Sequence, residues 1–226
     1  MLRKEYSKYL ILCFSIISSL TITAQKKVLD HTVYDSWKSL SETAVSNDAK
    51  YAATVVKVQE GDDYLLIRNL SNKKELIVPR GFNYLITPDQ KYIVAQIKVP
   101  YESTRQAKIK KTADKKMPKD SLVIISMEKF SLSKIPNVKM FKIGKDFSDY
   151  LAYTIDDTLK IKDKAKADEK ARTLIVRNIY TAKEDTVKNV TDFIFSRNGK
   201  SLAVVTKPEA KDTISKPGII YFDLNK

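Results

Sequence analysis

Short apolar runs alternate with polar turns along most of the chain, and the runs have the length and residue types of β-strands. Four windows share one layout: Ser46–Thr54 (SNDAKYAAT), Thr87–Ala95 (TPDQKYIVA), Lys145–Tyr153 (KDFSDYLAY) and Ser196–Val204 (SRNGKSLAV). In each, a turn-forming stretch, usually with Asp or Asn, precedes a run rich in apolar and aromatic residues. Asp and Asn suit such turns because their side chains bond to nearby backbone and tolerate left-handed geometry. The third window departs from the pattern at its first four positions. A second pattern interleaves with the first: Tyr64–Leu70 (YLLIRNL), Ser121–Met127 (SLVIISM), Thr173–Ile179 (TLIVRNI) and Gly218–Leu224 (GIIYFDL). These strands end in Asn, Ser or Asp, and most are followed by a polar, Lys-containing turn.

Measured between Tyr51, Tyr92, Tyr150 and Ser201, the repeat advances by 41, 58 and 51 residues. The two longer steps each contain a polar, Lys-rich stretch, at 101–120 and 157–172. Without most of those insertions the steps return towards a period of about 40–45 residues, the length of a four-stranded propeller blade. One such blade cannot cover both of its faces, so neighbours must stack around a common axis. The expected fold is all-β: a partial β-propeller of about four blades, each a four-stranded antiparallel sheet, over residues 45–226. Its core is expected from Val55, Val58, Leu65, Ile67, Ile93, Val123, Ile125, Leu151, Leu174, Val176, Phe193, Phe195, Leu202, Val204, Ile219 and Tyr221.

The N-terminus reads differently. Arg3, Lys4 and Lys8 precede an almost wholly apolar or small-residue run, Leu10–Ile22, and Thr23-Ala24 leads into a polar stretch. That is the layout of a secretory signal peptide over residues 1–24, and the run is too short for a comfortable membrane span. The protein is therefore expected to be exported, to a periplasm or the exterior, with no stable membrane span after cleavage. Within the extension 25–44, Leu29, Val33, Trp37 and Leu40 recur at helical spacing and predict a short amphipathic helix. Trp37 is expected to plug a blade edge or an axis end, and His31 to be a surface or capping residue.

Composition mainly excludes chemistry. The 226 residues carry 41 Lys+Arg against 27 Asp+Glu, a net charge of +14. Loss of residues 1–24 would remove three basic groups and one acid, leaving +12. The excess concentrates in the two insertions, which mix signs and lack an aromatic stacking pattern, so solvated loops are expected and nucleic acid is not. The single cysteine, Cys13, and the single histidine, His31, remove a disulfide framework and a Cys/His zinc site. With five glycines and neither GxxxxGK[ST] nor GxGxxG, no phosphate-cradling loop is present. No catalytic, cofactor-binding or metal-binding residue is assigned, and no cofactor is expected.

The ordered series from LDHTVYDSWKSL (Leu29–Leu40) through SNDAKY, EGDDYLLIRNL, VPRGF (Val78–Phe82) and ITPDQKYIVAQIK to MPKDSLVII resembles the N-terminal propeller of exported prolyl oligopeptidase/dipeptidyl-peptidase family serine peptidases of Bacteroidetes type. The resemblance runs from about Lys27 to Lys226. It implies a propeller of seven or eight blades that gates peptide access to a following α/β-hydrolase domain, whose serine lies on a Gly-x-Ser-x-Gly elbow. This sequence has no such elbow and no histidine after His31, and the dipeptidyl-peptidase glutamate pair has no counterpart. The chain is thus expected to be a non-catalytic propeller segment, truncated before the hydrolase domain, with the missing peptidase portion or peptides as partners. The alternative is a stand-alone exported interaction module that closes its open blades by self-association or on a partner.

Overall fold

The computed structural model describes residues 33–34, 37–113, 116–147, 149–155, 172–208 and 216–225. The chain divides into a segment reaching Tyr34, nearly all of it outside the described residues, and a compact unit from Asp35 onward. The signal peptide, Cys13 and His31 lie outside the described residues, as do Leu29 and most of the 157–172 insertion.

The compact unit is a partial β-propeller. Its first blade pairs β1 (Lys38–Val45), β2 (Tyr51–Val58), β3 (Tyr64–Asn69) and β4 (Glu75–Pro79) in sequential antiparallel order. The second pairs β5 (Gly81–Ile86), β6 (Tyr92–Ile97), β7 (Ser121–Ser126) and β8 (Leu132–Ile135) in the same way. A six-stranded sheet follows, of β9 (Val138–Ile143), β10 (Tyr150–Ile155), β11 (Arg172–Asn178), β12 (Glu184–Phe195), β13 (Ser201–Thr206) and β14 (Gly218–Asp223).

That sheet is two blades joined by one long strand. β12 pairs with β11 from Glu184 to Val190 and with β13 from Val190 to Phe195, with an irregularity between Val190 and Asp192. Asn189, at φ 57°, sits where Arg80 (φ 61°) and Asn137 (φ 60°) stand at the joins of the other blades. The first half of β12 is therefore the outer strand of the third blade, and its second half the inner strand of a fourth. Three blades are complete, and the described residues supply three strands of the next.

The sequence repeat is a repeated hydrogen-bond network. The hydroxyls of Ser46, Thr87 and Ser196 accept from the backbone N–H of Tyr51, Tyr92 and Ser201, each at 3.0 Å. Each hydroxyl donates to the side-chain oxygen two residues on, in Asp48, Asp89 and Asn198. In the third blade Lys145 holds the hydroxyl's place, which accounts for the weak third window. Beside the same turns, Leu70, Met127, Ile179 and Leu224 donate backbone N–H bonds to Lys50, Lys91, Asp149 and Lys200, once per blade.

Burial follows the stacking argument. Neighbouring residues of β6 serve different interfaces: Ile93 and Ala95 pack against the first blade, and Val94 against the third. A third cluster joins the third and fourth blades through Leu174, Val176, Phe193, Leu202 and Val204. Aromatic side chains reinforce the joins. The Tyr180 ring lies edge-on to Tyr92 at 5.5 Å, beneath Lys91, and its hydroxyl donates to Asp89. Tyr84 of the second blade donates to the Ala53 carbonyl of the first at 2.6 Å. Lys74 stands 5.1 Å from the Phe130 ring centroid across the same join. Each cation–aromatic contact of this kind contributes about 0.5–1 kcal/mol, so part of the lysine excess is structural.

Three expectations need correction. Trp37 and Leu40 do not continue a helix: Leu40 lies in β1 opposite Val56, and Trp37, just ahead of it, is 55% exposed rather than a buried plug. The first strand starts at Lys38, inside the stretch 25–44 read as an extension, because the blade needs an inner strand, which β1 supplies by pairing with β2. Ile219 and Tyr221 are not core residues, at 74% and 66% exposed; Phe222 is the β14 side chain packed on the third interface. Val58 and Phe195 are half-buried. The other expected core residues are buried.

The hydroxyls at the blade joins carry a pH dependence. Burial pushes the Tyr84 phenol up to about 12 from an ordinary 10. Burial, and next a hydrogen bond to Glu184 or Asp89, raises Tyr153 and Tyr180 as well. The folded chain thus holds these protons more tightly than the unfolded chain, so stability is intact below pH 10 and falls as pH rises through 10–12. Urea midpoints measured across that range should drop, and Tyr84→Phe should weaken the drop. A flat profile would contradict the buried-phenol geometry.

Candidate functional site

The longest connections within the blades join the second strand to the third. β6–β7, β10–β11 and β13–β14 are equivalent links, and both Lys-rich insertions fall in them. In the first, α1 (Tyr101–Ile109) buries no residue and is held by polar bonds. The Tyr101 backbone N–H donates to Asp62 at 2.8 Å, its hydroxyl to Glu60 at 3.1 Å, and the Arg80 Nε to the Lys98 carbonyl at 3.1 Å. This helix is thus exposed, with its first residue bonded to the first blade.

A concavity lies elsewhere. An open groove of about 560 Å³ runs beside the inner strands β5, β9 and the second half of β12. Its apolar side includes Leu85, Ile143 and Ile194, which occupy equivalent positions in successive blades, each two residues before the turn residue Thr87, Lys145 or Ser196. Leu85 and Ile194 are 46% and 64% exposed, so these side chains face the groove instead of a blade interface. A smaller hollow bordered by Val45, Ile86 and Lys145 continues it towards the first blade. Inner-strand side chains thus line hollows beside all four blades.

Charged side chains line the groove as well. Lys142, Lys145, Asp146 and Arg197 line the groove. Lys142 is committed: its Nζ donates to the Phe193 carbonyl at 2.5 Å and lies 3.5 Å from Asp192. Lys145 and Arg197 come from the turns after β9 and β12, which touch through glycines. A Cβ on Gly144 would collide with the Gly199 backbone and stand 2.6 Å from the Phe147 carbonyl oxygen. Gly199 adopts φ 69°, a conformation that favours glycine.

No group of three His, Cys, Asp or Glu side chains among the described residues could hold a metal ion. No described helix is long and apolar enough to cross a membrane. The one hydroxyl in the described lining, Ser196, is bonded to Asn198 and Ser201. Sequence reading assigned no site residue. The missed signal was the inner-strand position two residues before the turn, apolar and exposed at Leu85 and Ile194, and at Ile143 also packed against the second core cluster.

A β-propeller with an open axial groove is the class of protein defined by this fold. No family model matches the chain, and no curated protein matches it. Solved structures do. The chain is similar to the β-propeller domain of the Trilobed protease from Pyrococcus furiosus, described as having an open velcro topology, at 13% identity and a TM-score of 0.50. It is also similar to the Pyrococcus horikoshii acylaminoacyl peptidase (14% identity, TM-score 0.51) and to an acylaminoacyl peptidase in complex with Z-Gly-Gly-Phe-chloromethyl ketone (15%, 0.51). These matches cover 82%, 87% and 86% of this chain, but only 53%, 32% and 32% of the respective neighbours.

Proposed function

We propose that this chain is the propeller portion of an exported serine peptidase of the prolyl oligopeptidase family, and that its axial groove screens peptides on their way to a hydrolase domain. The carrying observation is the fold likeness to propellers from an acylaminoacyl peptidase and the Trilobed protease, over more than four-fifths of the chain. The groove supports it, since apolar side chains at equivalent inner-strand positions suit an extended peptide better than a compact polar ligand. Export rests on the basic-then-apolar N-terminus. The chain supplies no hydrolytic machinery of its own in this reading.

Two measurements test it. The adjoining DNA should encode further blades and a Gly-x-Ser-x-Gly elbow; a neighbourhood coding for neither would remove the peptidase reading. Purified chain should not cleave proline-containing chromogenic dipeptides. Turnover that survives removal of contaminants would contradict the non-catalytic role. The exposed apolar side chains of the fourth blade, Ile194, Ile219 and Tyr221, favour a second reading as an interaction module. A concentration-dependent dimer in sedimentation, with no such coding neighbour, would select it.

A further inference from the structure

The geometry points to recognition of the C-terminal carboxylate of an apolar peptide by Lys145 and Arg197 in the axial groove. This rests on the peptide-screening reading and adds which end of the peptide is held and by what.

Leu85, Ile143 and Ile194 supply apolar lining, while Lys145, Asp146 and Arg197 come from the turns that follow β9 and β12. Of the cations there, Lys142 is already occupied by the Phe193 carbonyl and Asp192. Lys145 and Arg197 have no carboxylate within ion-pair distance among the described residues, and Asp146 is the acid that shares their rim. The glycine contact between Gly144 and Gly199 brings the two turns together, so both cations address one space. A guanidinium offers a planar fork that matches a carboxylate, and an ammonium beside it adds a second charge. A peptide amino terminus would meet two like charges there. A volume of about 560 Å³ falls within the usual range for small-ligand sites, roughly 300–1,000 Å³, and suits a short peptide end more than a folded partner.

The probe is N-terminally fluorescein-labelled Gly-Ile-Val-Phe, as the free acid and as the C-terminal amide, titrated with the whole chain at low salt by fluorescence anisotropy. The free acid should bind about five- to tenfold tighter, the gain expected of a partly exposed charged contact. Arg197→Gln and Lys145→Gln should each reduce that ratio towards one with amide binding unchanged; Arg197→Lys should keep part of it. Circular dichroism confirms that the variants fold. Equal binding of acid and amide would overturn the carboxylate proposal and leave the peptide reading standing. Binding of neither would overturn both. If an amide carrying an internal glutamate binds as well as the free acid, the rim is a general anion site and terminus recognition is wrong.

Discussion

Gly144→Ala should lower the thermal midpoint by roughly 5–10 °C, and Gly144→Val by more. The added Cβ has no flexible neighbour to displace: it meets the Gly199 backbone and the Phe147 carbonyl oxygen at 2.6 Å. Two blade turns must separate, or their strands must shift. Overpacking of this kind costs about 1–3 kcal/mol, and each kcal/mol is worth roughly 2–4 °C in a domain of this size. Gly199→Ala should be comparably harmful, because φ 69° adds backbone strain to the same collision. Gly218→Ala supplies the control, since its Cβ would find only the Thr206 hydroxyl at 3.7 Å. A Gly144→Ala chain as stable as Gly218→Ala would mean that the turns do not touch. The substitution should also weaken the preference for a free carboxylate, because Lys145 and Arg197 owe their proximity to this contact.

The repeat was legible because it is chemical. A Ser or Thr hydroxyl bracing an Asp or Asn turn recurs at Ser46, Thr87 and Ser196, and local hydrogen bonding leaves a trace in sequence. Where the third blade exchanged that hydroxyl for Lys145, it did so beside a glycine contact with the next blade, and such a contact leaves no local mark. The face a strand residue takes was less legible. In a blade covered on both sides every position of the strand is apolar: Leu122, Val123, Ile124 and Ile125 are all buried, alternately towards opposite neighbours. Alternation then carries no information about which side is core, so Ile219 and Tyr221 were assigned to the interior one residue out of register with Phe222. Leu40 misled for a different reason: it stands three residues after Trp37, a helical spacing, but pairs with Val56 in β1.

The groove was illegible from the same cause. Leu85, Ile143 and Ile194 read as strand apolars like any other, and only the stacking of blades turns them towards the axis. The insertions illustrate the converse. Their charge was plain in the sequence, but their occupying the same connection in successive blades emerges only from the strand order. The axial groove lies on the inner strands and ends at the opposite turns, so the most basic stretches and the candidate site are separate features.

Phe193→Ala and Ile194→Ala, one residue apart, should have opposite consequences. Phe193 is 2% exposed between the third and fourth blades, packed among Leu174, Val176, Leu202 and Val204. Truncating a buried phenylalanine costs about 3–5 kcal/mol through lost transfer energy and the cavity left behind. That is a large share of the roughly 5–15 kcal/mol by which domains are stable. Here the loss includes the Lys142 ammonium 4.7 Å from the ring centroid. The urea midpoint should fall steeply, and the fourth blade should become the first to exchange its amide protons. Ile194 points the other way along the same strand and lines the groove at 64% exposure, so its truncation should leave the midpoint nearly unchanged and weaken peptide binding a fewfold. Equal midpoint shifts for the two variants would mean that β12 does not separate a blade interface from an axial face. Loss of binding in the Phe193 variant at a urea concentration where it is still folded would show that Lys142, set in place by the Phe193 carbonyl and ring, takes part in shaping the groove.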